Sequence, residues 1–208
     1  DFGAKVFKHE SKGNYNIQCD IGISNVTSDW VLNVDVDERV TPALKTDILD
    51  VLAKKAPFSA YSMGRRNHFL GKFMQHGGWY ERQVKFFRKG KARYAEQNPL
   101  GVLTVDGDIG RLESFINHYP FTSISQFIQR QINYAIYEAK IMCQKKGNLS
   151  LKEIKNHLTI KPLKLFFKFY IKKQGFRDGK HGFIFSILNA WRHFILWAIY
   201  WEKCSKSA

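Results

Sequence analysis

The sequence predicts an α/β protein, a mainly parallel sheet followed by a basic helical region. Three observations carry this. Strand and helix signals alternate over residues 1–58, the pattern of strands joined by crossover helices. Residues 59–119 read as strands and loops. Residues 120–208 place apolar side chains at helical spacing among Lys and Arg. The expected domains are therefore 1–119 and 120–208. With 208 residues and 44% hydrophobic side chains, the chain can bury a sizeable core. An aromatic content of 15% excludes a disordered chain.

The elements follow in order. "DFGAKVFKHE" reads as a helix end, a glycine stop and a short strand Ala4 to Phe7. A chain that opens inside such a unit is expected to be N-terminally incomplete, lacking part of the sheet and leaving an unpaired edge. Ile17, Ile21 and Ile23 mark a helix, and Trp30 to Val34 an apolar strand. A helix from Pro42 to Lys55 starts with Thr41 as its cap and proline at its first position. Its expected inner face is Leu44, Ile48, Leu49 and Leu52. Val102, Leu103 and Val105 flank Asp106-Gly107, a hairpin signal. Ser123 and Ser125 cap a helix that runs to Lys146.

The cysteines Cys19, Cys143 and Cys204 are odd in number and form no C-x-x-C pair. That predicts a reducing compartment, with neither a disulfide framework nor a zinc site. The net charge of +15 calls for an anionic partner. From Lys161 to Lys180 there are seven Lys/Arg and one acid, interleaved with Leu, Ile and Phe. Gly182 to Trp201 is apolar over the length of a membrane span, but Asn189, Arg192 and His193 sit near its middle. An ionised group at bilayer centre costs roughly 2.5–3.5 kcal/mol on insertion scales. The pattern therefore predicts a helix lying on an anionic membrane surface. The alternative is a helix hairpin packed on the sheet domain. Nucleic acid is not an expected partner, because the basic residues surround apolar side chains rather than a reader motif.

"WVLNVDVDERV" sets three acids directly behind an apolar strand. On an extended chain Asp35 and Asp37 share a face. Ligands of open α/β sheets bind beyond the carboxyl ends of strands. Two hard oxygen ligands there suit a divalent cation that takes its remaining ligands from water and substrate phosphates. A bare D-x-D is also compatible with a solvated turn, in which Asp35 caps and Glu38 pairs with Arg39.

"DWVLNVDVDERVTPAL" resembles the D-x-D segment of family 2 glycosyltransferases, enzymes of the GT-A nucleotide-sugar fold. The likeness continues through "RRNHFLGKFMQHGGWYERQVKFFRKGKARY", "VDGDIGRLESFINHY" and "GFRDGKHGFIFSILNAW", over nearly the whole chain. Together these resemble the branch that adds sugars to the lipopolysaccharide core, including its β-1,4-glucosyltransferases. The resemblance implies an inverting transfer from a nucleotide-sugar donor, a UDP-sugar, to a lipid-linked saccharide acceptor. It implies Mg²⁺ or Mn²⁺ at Asp35 and Asp37, with Asp37 the more direct ligand. His76, Gly77, Gly78, Trp79 and Tyr80 fall on the family's H-G-G-W-Y loop beside sugar and acceptor. Gln83, Lys85 and Arg88 fall on its basic strand, where Lys85 is expected to reach phosphate. The implied place of work is the inner face of the cytoplasmic membrane, as a peripheral protein.

Two departures bear on activity. The family's His-Glu positions, from which the catalytic base is expected, hold Leu100 and Gly101. Glu96 and Asp106 are the nearest acids in sequence, and each reads more simply as a surface acid. In "QINYA" Tyr134 is kept, but Gln131, Ile132 and Asn133 stand where the family has His, Asn and Arg. Without the opening strand, the chain alone is expected to bind UDP-sugar weakly.

Overall fold

A computed structural model describes residues 3–10, 15–54, 57–94, 103–146 and 149–205. It is a mixed α/β structure of two compact units, 1–65 with 81–117 and 66–80 with 118–208. The chain passes between the units three times, within the long strands β3 (Ala60–Phe69) and β8 (Ile109–Phe121) and between Tyr80 and Glu81.

In the first unit the strand order is β1-β5-β3-β8-β2, where β1 is Trp30–Leu32, β2 Glu38–Val40 and β5 Glu81–Arg88. Among the described residues β1 is an edge strand, hydrogen-bonded to β5 alone. The ladders β1–β5 and β3–β5 are antiparallel, which corrects the expectation of a mainly parallel sheet. The link from β3 to β5, residues 70–80, contains no crossover helix, so these neighbours can run antiparallel. Residues 3–10 hold no strand, contrary to the one expected at Ala4 to Phe7.

Helix α2 (Pro42–Ala53) begins where its cap predicts, with the Leu44 amide donating to Thr41 Oγ1 at 3.2 Å. It buries Leu44 completely, beside Ile48 and Val51, against Tyr61, Met63, Phe86, Leu112 and Ile116. Leu49 and Leu52 are exposed, so the inner face runs through 44, 48 and 51. That spacing keeps a narrower stripe than four leucine-like residues suggested. On the other side of the sheet, Val31, Ala60, Phe87 and Ala92 form a second core with Ile23 and Val26, at and just beyond the end of α1 (Tyr15–Ser24). Consecutive Phe86 and Phe87 thus serve opposite faces, as a strand buried on both sides requires. The Asp106-Gly107 turn exists, but β7 (Leu103–Val105) pairs with β6 (Ala92–Tyr94) rather than with β8. The turn joins two sheets instead of closing a hairpin.

In the second unit, β4 (Lys72–Phe73) folds back on the end of β3 through Leu70 and Gly71, both at positive φ. Helices α3 (Ile124–Lys146), α4 (Leu151–Leu158), α5 (Ile160–Phe167) and α6 (Gly179–Ser205) follow, with a π-helical turn Lys168–Lys172 and a 3₁₀ turn Gly175–Asp178 before α6. Ser123 caps α3, its hydroxyl accepting from the Gln126 amide at 3.1 Å. Ser150 and Glu153 form a reciprocal cap on α4. Gly182 explains part of the "GFRDGKHGF" signature. A Cβ there would stand 1.8 Å from the Gly175 carbonyl oxygen, so only glycine lets the two backbones approach.

Helix α6 is the one described helix long and apolar enough to cross a membrane, with a third of its apolar window buried in protein. Its mid-helix polar groups have protein partners. Arg192 pairs with Glu138 on α3, Asn189 donates to the Phe185 carbonyl at 2.8 Å, and His193 lies 3.3 Å from His157 on α4. Leu196, Trp197 and Tyr200 pack on Ala135 and Ala139 of α3. A disulfide joins Cys143 of α3 to Cys204 of α6, Cα atoms 6.1 Å apart. One pair therefore forms where the sequence predicted no disulfide framework. Residues 61 apart in sequence meet because the two helices lie side by side.

Burial, with smaller contributions from His157, Lys161 and Arg192, pushes the His193 pKa down to about 4. An unfolded histidine titrates near ~6.5, so the unfolded chain takes up this proton first. The stability contribution is complete above that value and is lost as pH falls towards 4. The melting temperature should fall over this window, and His193→Asn should flatten the fall. A melting temperature that stays level in the parent protein refutes the assignment.

Candidate functional site

The acidic turn closes β1. The Glu38 amide donates to the Asp35 carbonyl at 2.9 Å, and Glu38 Oε2 accepts from the Asp35 amide at 3.0 Å. Val36, at 93% exposed, shows that the turn projects into solvent. Glu38 itself is buried, with no exposed side-chain surface. Its Oε1 meets Arg65 Nε at 2.8 Å and its Oε2 meets Lys85 Nζ at 2.8 Å. Asp35 Oδ2 takes the same two cations, Lys85 Nζ at 3.0 Å and Arg65 Nη2 at 3.3 Å. Arg65 also meets Glu81 at 3.3 Å, and Gln83 donates to the same Glu81 oxygen at 2.9 Å. Glu81, Gln83 and Lys85 of β5 thus join one network, Lys85 at the point where the β3–β5 register shifts. Arg39 does not pair with Glu38. Its guanidinium donates to the carbonyls of Val36 and Glu38 at 3.0 and 2.7 Å.

This places the expected donor-side residues. Asp35 and Lys85 share one ion-pair network, and Lys85 is a buried lysine held by two carboxylates rather than a solvated one. Asp37, half-buried, sits on the turn. Arg88 lies at the far end of β1, opposite Trp30, its guanidinium 4.6 Å from the indole ring. Asn33, just past β1, donates from its amide to the Lys85 carbonyl at 2.8 Å and from its side chain to Tyr94 Oη at 2.5 Å. Burial, with Cys19 and Asp35 nearby, pushes the Tyr94 hydroxyl pKa upward, so it stays protonated. By residue type, two carboxylates on an open turn are what a hard divalent cation takes, although no group of three metal-ligating side chains occurs among the described residues. Asp35 Oδ2 is already shared by two cations, Lys85 and Arg65.

Glu96, Leu100 and Gly101 lie outside the described residues. Asp106 is exposed and its Oδ2 accepts from Lys91 Nζ at 2.7 Å, a hydrogen bond that holds its carboxyl below the usual range.

The H-G-G-W-Y loop belongs to the second unit. Gly77 and Gly78 take φ of +74° and +78°, a backbone open to glycine. The Gly77 amide donates to the Lys173 carbonyl at 2.8 Å. Trp79 is stacked between Phe185 and Phe121, ring centroids 4.7 and 6.0 Å away, against the core of Phe69, Met74, Phe121 and Phe127. Its carbonyl accepts from the buried Asn67 side chain, whose Oδ1 in turn accepts from His118 Nδ1 at 2.6 Å. Tyr80 is 47% exposed. The rings therefore divide, Trp79 filling the core and Tyr80 facing outward.

Asp178 organises this loop, and sequence reasoning gave it no role. It is buried, and its carboxylate accepts from the His76 amide at 2.8 Å, the Gln75 amide at 3.4 Å and His76 Nδ1 at 3.4 Å. The Asp178 carbonyl accepts from Lys72 Nζ at 2.7 Å. Asp178→Ala leaves those amides without an acceptor and should cost about 2–3 kcal/mol. Asp178→Asn should recover only part, since an amide has one accepting oxygen. Equal thermal unfolding of all three proteins would refute the clamp. Glu38 and Arg65 were missed too. No local signal marks either, because Glu38 meets Arg65 and Lys85, both distant from it in sequence.

No family model matches the chain. It is similar to a lipopolysaccharide core biosynthesis glycosyltransferase, LpsC, of Rhizobium meliloti, 22% identical over 188 residues that cover 88% of this chain and 68% of that protein. An uncharacterized glycosyltransferase of Rickettsia conorii is 26% identical over 205 residues, 93% of this chain and 71% of the relative. One of Rickettsia felis is 25% identical over 217 residues, 99% of this chain and 75% of the relative. These relatives support a glycosyltransferase.

Proposed function

We propose that this chain carries the transfer centre of an inverting, family 2 glycosyltransferase. It moves a sugar from a nucleotide-sugar donor, a UDP-sugar, to a lipid-linked saccharide such as the lipopolysaccharide core. The observation that carries the reading is the acidic turn behind β1, in a chain whose relatives are glycosyltransferases. Asp37, with Asp35, would hold Mg²⁺ or Mn²⁺, which when bound supplies Lewis-acid stabilisation to a departing diphosphate. The protein's own part is positional. Glu38, from its buried seat, fixes Lys85 and Arg65, and these hold Asp35. The H-G-G-W-Y loop offers Tyr80 to a saccharide ring. The place of work is the cytoplasmic membrane face, with the basic helical region against anionic lipid.

The test is transfer of radiolabelled sugar from UDP-sugars to extracted lipid-linked saccharide by the full-length protein. Activity that chelation removes and Mg²⁺ or Mn²⁺ restores supports the reading. A second reading rests on Leu100 and Gly101 at the family's His-Glu positions: a relative that binds glycolipid or a partner enzyme without turnover. It predicts neither transfer nor slow donor hydrolysis in the same assay.

A further inference from the structure

The second unit carries an amphipathic surface that sugar transfer does not explain. Along α5 and the π-helical turn, Leu163, Phe167 and Ile171 are 63%, 58% and 53% exposed. Four-residue spacing puts them on one side of the helix. Lys164, Lys168 and Lys172 each follow by one position and are exposed as well, a cationic row beside the apolar one. Phe166 and Tyr170 stack at 5.3 Å, and Phe183 lies 6.0 and 5.5 Å from these two rings. Phe176 joins Tyr170 at 6.3 Å. With Phe167, 5.4 Å from Phe166, five rings form one contiguous patch. No acid occurs from Ile160 to Gln174. Exposed apolar groups of this extent mark a contact surface rather than a solvated one.

We propose that this face docks flat on an anionic lipid bilayer. Leu163, Phe167 and Ile171 enter the boundary between headgroups and acyl chains, and the lysine row meets lipid phosphates. The occupant is a bilayer because long side chains of both kinds alternate along one helix side. Lysine stems can lie along the apolar row while their ammonium groups stay at the phosphates. The inference rests on the membrane-surface part of the proposed function and names the residues that perform it. It also links docking to the H-G-G-W-Y loop. Lys173, directly after the π-helical turn, accepts the Gly77 amide at 2.8 Å and lays its side chain against Gly78. Docking would hold that loop at headgroup level, where the saccharide of a lipid-linked acceptor lies.

Flotation with vesicles of phosphatidylcholine, with and without phosphatidylglycerol, tests this. The protein should float with the anionic vesicles only, and less as salt rises. Lys164→Gln/Lys168→Gln/Lys172→Gln should weaken that binding about a hundredfold, roughly fivefold per lysine. Leu163→Ser/Phe167→Ser/Ile171→Ser should abolish it. Both variants should melt with the parent, because the altered side chains are exposed. Should either fail to fold, amide hydrogen exchange on the parent decides: vesicles must slow exchange across residues 160–172 and not across 42–53. Undiminished binding by both variants, equal binding to neutral vesicles, protection elsewhere, or binding to duplex DNA but not to vesicles overturns the proposal. Asp37→Ala should float as the parent does. Loss of transfer by Asp37→Ala with normal flotation supports both readings, whereas no transfer by the parent protein with normal flotation sinks the sugar-transfer reading alone.

Discussion

Glu38→Ala should lower the stability of the protein by about 3–5 kcal/mol, the range for removing one partner of a buried ion pair. The carboxylate has no exposed surface and meets Lys85 and Arg65 at 2.8 Å each. Lys85, itself 5% exposed at the side chain, would keep Asp35 but lose its closer acid. The Asp35 amide would lose its acceptor. Much of the cost is the cation left buried, not the pair itself. The double variant Glu38→Leu/Lys85→Met should therefore recover a good part of the loss, since an apolar pair of similar size needs no counter-charge. Urea unfolding of the two variants checks both statements. A Glu38→Ala protein as stable as its parent would mean that the network contributes nothing.

Asp37→Ala should leave the unfolding midpoint near the parent's while transfer drops about a thousandfold, the rate equivalent of several kcal/mol of charge stabilisation. The two readouts separate because Asp37 is half-buried on a turn that points to solvent, whereas Glu38 beneath it holds the turn's base. Asp35→Ala should differ in kind. It removes an anion shared by Lys85 and Arg65, so stability and transfer should fall together. Full transfer by Asp37→Ala, measured at saturating donor and Mg²⁺, would end the metal role.

Much of the local structure was legible. Thr41 and Pro42 announced α2, Ser123 announced α3, and the apolar run announced β1, because caps and short apolar runs act within a few residues of chain. The D-x-D turn was visible for the same reason. What was not legible depends on partners far away in sequence. Leu49 and Leu52 look like core until Val51 is seen to face Tyr61 and Met63. Strand direction depends on which loops cross the sheet, and pattern does not state that. Lys85 read as a phosphate ligand because its position suited one, while the acid that holds it, Glu38, lies 47 residues earlier by the numbering. Asp178 stands 102 positions from His76, so its role in the loop could only be seen folded.

The link between Cys143 and Cys204 makes the last third of the chain a closed ring. Within it lie α4, α5, the π-helical turn and nearly all of α6, so a cut anywhere in that stretch would leave both pieces tethered. In the chain-entropy account such a closure is worth about 4 kcal/mol. Thiol reductants should therefore loosen this helical cluster while sparing the acidic turn, whose residues owe nothing to sulfur.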